Sequence, residues 1–281
     1  MSSIQRPLPP SLSPPEVQCC LLSYPAPWIL LVTINRERQM NSIPWAGHWE
    51  MDALWSWFDE EPNLRVAVIT GAGNKSFSAG QDLIELGSLK GAPAWQTRHP
   101  PSGFAGLSRR GGKKPVIAAV NGYAFGGGFE TTLNCDAVVA SPTAQFALTE
   151  VSRGIFAGAG GLARLIRTCG LQVASEIALS GRRVSAQEAL RIGLVNKISV
   201  SVETVVDEAI ELARTITRNS PDAIIVSRKA LRQSWESGSV ERSVQLIADD
   251  YTSKLLGGEN AREGLQAFAE KREPEWKPSK L

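Results

Sequence analysis

The chain has 281 residues, of which 43% are hydrophobic and 21% charged, and a formal net charge of +2. That length accommodates one large domain or two small ones with a sizeable core, and so small a net charge leaves no electrostatic footprint for nucleic acid. The four cysteines, Cys19, Cys20, Cys135 and Cys169, have no metal-ligand spacing and read as reduced thiols of an intracellular protein. The two histidines, His48 and His99, are too few for a His-built metal centre; both read as structural, one of them on a surface helix. No apolar run approaches the length of a membrane span, the purest being "WILLVTI".

In chain order, the opening "MSSIQRPLPPSLSPPEV" is rich in proline and serine and is expected to be a flexible tail over residues 1–16. "PWILLVTINRE" predicts an apolar strand running into a charged turn. Trp45, Trp49, Leu54, Trp55 and Phe58 recur near helical spacing, which predicts an amphipathic helix whose aromatic stripe faces the core. "LRVAVITGAG" and "KPVIAAVNGYAFGGG" read as buried strands ending in glycine turns, and "CDAVVAS" and "AQFALTE" as shorter strands, the last ending on Glu150. The stretch from Gly87 to Lys114 is long and poor in pattern, as a functional lid or a disordered loop would be. Its basic cluster, Arg109, Arg110, Lys113 and Lys114, reads as a solvated turn, with attraction of a phosphate as the alternative. From Val202 to Phe268 helical patterns dominate. Strands alternating with helices and then a helical tail predict an α/β core over 17–200 and a helical region over 201–281. The chain closes on Ser279-Lys280-Leu281, the form of a peroxisomal address read by an import receptor.

Two glycine motifs invite a dinucleotide reading that the residues do not sustain. Gly71-x-Gly73 is followed by Ser76 where a third glycine is needed, and "GAGG" at 158–161 follows no evident strand. The run "AFGGGFE" is different. After a buried strand, the bare backbone of Gly126, Gly127 and Gly128 lets peptide N–H groups approach a ligand closely, and a helix beginning near Phe129 adds its positive end. That arrangement suits a developing negative oxygen such as a thioester enolate. A second glycine turn, "FSAGQDL" at 77–83, also precedes a predicted helix and supplies a second donor. Glu130 then falls in the first helical turn, and Glu150 is the other acid within reach. Two carboxylates over one site can hold a water and move protons when their environments separate their pKa values. Taken alone, a glutamate in either position is more often a surface charge or a helix cap than a catalyst.

"KSFSAGQDL", "VNGYAFGGGFETTLNCD", "FALTEVSRGIFAGAGGLARL" and "SGRRVSAQEALRIGLVNKI", in this order, resemble the crotonase superfamily of enoyl-CoA hydratases and isomerases. The similarity runs from about Pro27 to Lys277. The resemblance implies a spiral of ββα units, a C-terminal helical trimerisation region, and a homotrimer or dimer of trimers. It implies an acyl-CoA thioester as substrate with no separate cofactor or metal, the thioester oxygen lying between the backbone N–H groups of Gln81 and Gly127. Glutamate at both acid positions, Glu130 and Glu150, is similar to the hydratases, with Gly158 helping to seat the catalytic water. Simple isomerases lack the first acid, and dienoyl isomerases carry another where this chain has Gly158. The implied reaction is addition of water to a 2-enoyl-CoA, or its removal, with Glu130 handling the water and Glu150 the proton at C2.

Coenzyme A contacts carried over by motif are Arg38, Gln39 and Met40 after the first strand, Ala79, Asp82 and Leu83 in the "SAGQDL" turn, and Phe268 and Lys271, reaching the coenzyme of a neighbouring subunit. The chain also departs from the family pattern. Gln81 replaces the usual small residue, Thr149 and Ala157 stand where proline is frequent, and Arg153 is unusually polar. "EVSRGIFAGAGGLARL" is more similar to members acting on branched or hydroxylated acyl chains than to the mitochondrial short-chain enzyme, and the Ser279-Lys280-Leu281 ending also fits hydratases of secondary metabolism, including siderophore pathways. An enoyl-CoA isomerase using Glu150 alone and a non-catalytic CoA-binding scaffold are the rival readings.

Overall fold

The computed structural model describes residues 9–88 and 98–281. Residues 1–8 of the expected tail and 89–97 of the expected loop lie outside the described residues. The chain runs through β1 (Cys20–Ala26), β2 (Trp28–Ile34), α1 (Trp45–Glu60), β3 (Leu64–Gly71), β4 (Ser76–Ser78), α2 (Leu83–Ser88), β5 (Val116–Val120), β6 (Tyr123–Phe125) and α3 (Gly127–Thr132). It continues through β7 (Ala137–Ala140), β8 (Gln145–Ala147), α4 (Gly161–Cys169), α5 (Leu171–Ser180), β9 (Val184–Ser185), α6 (Ala186–Arg191) and β10 (Lys197–Ile198). Five helices close it: α7 (Val205–Thr217), α8 (Pro221–Glu236), α9 (Val240–Ile247), α10 (Ser253–Leu256) and α11 (Glu259–Glu270).

The strands form two sheets, one of six strands in the order β1-β2-β3-β5-β7-β10 and one of four in the order β4-β6-β8-β9. From β3 onward the chain alternates between them, so β3-β4-α2, β5-β6-α3 and β7-β8-α4 are successive turns of one ββα spiral. In the large sheet only the β1–β2 hairpin is antiparallel; β2, β3, β5, β7 and β10 are mutually parallel. Every residue of β3 is buried, as a parallel strand covered on both faces requires. Because side chains alternate along a strand, Val66 and Val68 meet Val205, Ala209, Ile210 and Ala213 of α7. Ala67 and Ile69 belong instead to the cluster with Met51, Leu54, Trp55 and Phe58 of α1. Burying each large side chain of that stripe contributes roughly 1.5–3 kcal/mol. The helix α7, which follows the expected boundary at 200/201, thus covers one face of the main sheet.

Several expectations need correction. The aromatic stripe of α1 is incomplete: Leu54, Trp55 and Phe58 are buried, but Trp49 is half exposed and donates its indole N–H to the Arg98 carbonyl at 3.2 Å. "KPVIAAVNGYAFGGG" is two strands in different sheets, because Asn121 turns the chain and its amide holds the Gly71 and Gly73 carbonyls at 2.9 and 2.7 Å. The basic cluster is only in part a solvated turn: Arg109 is exposed and Lys113 half-buried. Arg110 and Lys114 are buried; Arg110 pairs with Asp59, and the Lys114 ammonium donates to the Phe58 and Glu61 carbonyls at 2.8 and 2.6 Å, tying the chain to the end of α1. Within the segment expected to be a tail, Leu12 N–H donates to Glu61 Oε2 at 2.7 Å and Ser11 N–H to Oε1 at 3.0 Å.

Candidate active site

The small sheet positions the site. Its strands β4, β6 and β8 are mutually parallel, and Gln81, the Gly126–Glu130 segment and Glu150 all follow their carboxyl ends. Side by side at the same edge of a parallel sheet is where open α/β folds bind ligands.

Each glycine of the run meets a different constraint. Gly126 has φ +55° and ψ −128°, a conformation that only glycine adopts without strain. A Cβ on Gly127 would lie 2.4 Å from the Phe104 ring, and one on Gly128 would lie 2.4 Å from the Ser78 carbonyl oxygen. The bare backbone lets the β4 and β6 turns touch: a Cβ on Gly80 would stand 3.2 Å from the Gly127 nitrogen. Neither Gln81 N–H nor Gly127 N–H donates to a carbonyl or side chain among the described residues. Gly127 N–H also lies in the first turn of α3, whose helix begins two residues earlier than the sequence suggested. With no side-chain cap, these free N–H groups present partial positive charge. Two unpaired backbone donors on neighbouring turns are the kind of groups that can stabilise a developing oxyanion.

Both acids come to the glycine run. Glu130, in the first turn of α3, is 3% exposed. Its Oε1 accepts the N–H of Gly161, the first residue of α4, at 2.9 Å. Burial pushes the Glu130 carboxyl up to about 7; the Gly161 N–H opposes the rise and the Glu150 charge adds to it. Glu150 comes close to the first glycine of the run, where a Cβ on Gly126 would lie 3.1 Å from its Oε1. The strand stops at Ala147, however, and Glu150 belongs to a 3-10 turn over Thr149–Arg153 rather than to the strand end. Its Oε2 is buried with no partner among the described residues, and burial raises this carboxyl too. Two carboxyls that both resist ionisation beside one oxyanion hole can exchange a single proton with a substrate.

The other expected residues fall into two groups. Arg38, Gln39 and Met40 form a 3-10 turn that ends with Met40 at φ +54°. That turn is bound to the β4 turn by Ala79 N–H to the Met40 carbonyl at 3.0 Å, while Asp82 pairs with Arg36 at 2.9 Å and Leu83 is exposed at the start of α2. These six residues therefore line one rim. Gly158 is exposed on the loop leading into α4, against the Phe156 ring. Phe268 and Lys271 are exposed at the end of α11, in the helical region apart from that rim.

Sequence reasoning missed the support behind Gln81. His48 lies wholly inside the fold, not on a surface helix face. Its Nδ1 accepts Ala105 N–H at 3.0 Å, so its proton resides on Nε2, which donates to Gln81 Oε1 at 2.8 Å. Burial, with the neighbouring His99 adding to it, depresses the His48 pKa to about 3, so the ring stays neutral. Trp45, His99 and Phe104 surround it, with ring centroids 5.6, 4.7 and 4.5 Å from that of His48. The i, i+3 spacing of Trp45 and His48 on one helix was the available signal; Phe104 sits in an irregular segment that carries none.

Among the described residues no cluster of side chains could hold a metal ion, and no helix is long and apolar enough to cross a membrane. Residues 27–279 match the family model for enoyl-CoA hydratase/isomerase. The chain is 51% identical over 267 residues to a mevalonyl-coenzyme A hydratase of Aspergillus fumigatus, covering 95% of this chain and 98% of that protein. It is 42% identical over 252 residues to a carnitinyl-CoA dehydratase of Citrobacter koseri, covering 89% and 95%. Its fold superimposes on the crystal structure of an enoyl-CoA hydratase from Bacillus anthracis with a TM-score of 0.83 at 36% identity, covering 93% of this chain and all of that one. The chain belongs to the enoyl-CoA hydratase/isomerase family, within the crotonase superfamily, as an enzyme of the hydro-lyase type.

Proposed function

We propose that this enzyme adds water to, or removes it from, a 2-enoyl/3-hydroxyacyl-CoA thioester with a branched or hydroxylated acyl chain. The observation that carries the reading is that two carboxyls, buried Glu130 and half-buried Glu150, both stand against the glycine run that bears the unpaired Gly127 N–H, with the unpaired Gln81 N–H on the neighbouring turn. In the hydration direction the thioester oxygen accepts both N–H groups. Glu130 takes the proton of the water that attacks C3, negative charge builds on the oxygen as an enolate, and Glu150 returns a proton to C2. In dehydration both transfers reverse: Glu150 takes the C2 proton and Glu130 gives its proton to the hydroxyl leaving C3 as water. The backbone donors stabilise the enolate, so the reaction calls for no separate cofactor.

The Arg38–Met40 turn and the Ala79–Leu83 segment form the rim on which the coenzyme would lie. Phe268 and Lys271 are assigned to the coenzyme of a neighbouring subunit. Exposed apolar side chains on the closing helices, among them Leu231, Val244, Leu256, Leu265 and Phe268, support a homotrimer or a dimer of trimers. The branched, hydroxylated substrate is supported by the relatives named for mevalonyl- and carnitinyl-CoA. A peroxisomal location is the reading of the Ser279-Lys280-Leu281 ending, and imaging the chain with and without those three residues tests it.

Incubating the protein with a panel of 2-enoyl-CoAs, plain, branched and hydroxylated, while following the absorbance of the conjugated thioester, tests the activity. Loss of absorbance with appearance of the 3-hydroxyacyl product is expected. Shift of the double bond without water uptake would identify an isomerase, and tight binding with no turnover across the panel would identify a scaffold.

A further inference from the structure

Three buried polar atoms in one cluster have no partner among the described residues: Gln81 Nε2, Trp45 Nε1 and His99 Nε2. An unsatisfied buried donor or acceptor costs about 1–3 kcal/mol, so three on side chains that share His48 as a neighbour would gain from a polar ligand group. The rings of Trp45 and His99 are 4.9 Å apart and both touch that of His48. Phe104, whose ring centroid is 5.8 Å from that of His99, borders Gly127. The cluster therefore adjoins the oxyanion loop. It is also oriented. Gln81 Oε1 is occupied by the His48 Nε2–H at 2.8 Å, which fixes the amide so that its NH2 end must find its partner elsewhere.

Gln81 ties the cluster to the substrate. Its main-chain N–H is one of the two oxyanion donors, and its side-chain NH2 is five bonds away along the same residue. A group on the acyl chain a similar number of bonds from the thioester oxygen, beyond the reacting C2 and C3, comes within its reach. The chemistry of the cluster selects that group. Gln81 and Trp45 only donate at the free atoms, a neutral imidazole nitrogen can accept, and no cation stands among them to hold a carboxylate.

Resting on the hydro-lyase reading, we propose that Gln81, Trp45 and His99 form a subsite for a hydroxyl group on the distal acyl chain, with His48 as the positioning residue that aims the Gln81 amide. The hydroxyl accepts from Gln81 and Trp45 and donates to His99. The usual small residue at the oxyanion position would leave this subsite without its central donor, so the glutamine is a specificity-determining residue.

Binding of 5-hydroxypentanoyl-CoA and pentanoyl-CoA, neither of which can be hydrated, measures the subsite independently of catalysis. Calorimetric titration of the intact protein is expected to favour the hydroxylated thioester by at least about tenfold, the value of one well-made hydrogen bond. Gln81→Leu, and separately His99→Phe, should each erase most of that preference while leaving melting cooperative. Equal affinities for the two thioesters in the parent, or an unchanged ratio in both variants, would overturn the subsite. The matching 5-hydroxypent-2-enoyl-CoA and pent-2-enoyl-CoA then report on the reaction. Preferential binding without turnover of either would leave the subsite standing and reject the hydro-lyase reading, whereas turnover of both without preference would do the reverse.

Discussion

The backbone N–H of Gly161 donates to Glu130 Oε1 at 2.9 Å, so the first residue of one helix holds the acid borne by the first turn of another. The contact leaves no room for a side chain, since a Cβ on Gly161 would lie 2.5 Å from Glu130 Cγ. Gly161→Ala should displace the carboxyl by around 1 Å, an error that can cost on the order of a hundredfold in turnover. Affinity for a saturated acyl-CoA should change little. Steady-state kinetics beside calorimetric binding separate the two, and a folded variant with full turnover would remove Glu130 from the mechanism.

Glu130→Gln and Glu150→Gln are each expected to lower hydration by about a hundredfold or more, the scale of a positioned acid or base. On the proposed mechanism the two carboxyls serve one proton relay, so the double variant should lose far less than the product of the single losses. Near-normal turnover in either single variant would show that its carboxyl is dispensable.

Removing one of the proposed oxyanion donors gives a third test. Gly127→Pro deletes that N–H and should cost about 10²- to 10³-fold in turnover. The ring would also press on Phe104, so thermal melting and oligomeric state have to match the parent before the loss is read as catalytic. A well-folded Gly127→Pro enzyme of undiminished activity would place the enolate elsewhere.

The pH response follows from the raised Glu130 carboxyl. Between its ordinary value of 4.5 and about 7, the folded chain keeps a proton there that the unfolded chain has released. Stability from this group is therefore complete below 4.5 and is lost as pH rises through 7. Glu130→Gln removes the ionisation while an amide oxygen can still accept the Gly161 N–H. At pH 8 the variant should be more stable than the parent by roughly 3 kcal/mol, and at pH 4 the difference should vanish. Melting curves at the two pH values decide it; equal melting at pH 8 would mean the carboxylate is not strained in the fold.

What the sequence could reveal tracks how local each feature is. Strands β2, β3 and β5 are runs of apolar residues, and "AFGGGFE" carries its turn, helix start and acid within seven residues, so both were legible. The quoted motifs also led to the family and its spiral. Arg110 and Lys114 were misread because the acid that buries them, Asp59, and the Glu61 carbonyl lie more than fifty residues away. His48 was misjudged for the same reason: its partners, Gln81 and Ala105, come from the β4 turn and an irregular segment after it. Glu150 was placed one element too early because nothing in "QFALTE" marks where pairing with β6 stops, which is set by the length of Tyr123–Phe125.

That shared strand edge has a consequence for how such an enzyme can change. Gln81, the glycine run and Glu150 are indexed to one another by the pairing of β4 with β6 and of β6 with β8. Inserting or deleting a residue in any one of these strands would invert its faces and shift one reacting group against the others, so the centre behaves as a single keyed part that is inherited whole. New substrates must then arise at its periphery, by exchanging side chains such as Trp45, His99, Phe104 or Phe156, and laboratory selection for altered acyl preference should accumulate substitutions there and avoid length changes between Ser76 and Glu130.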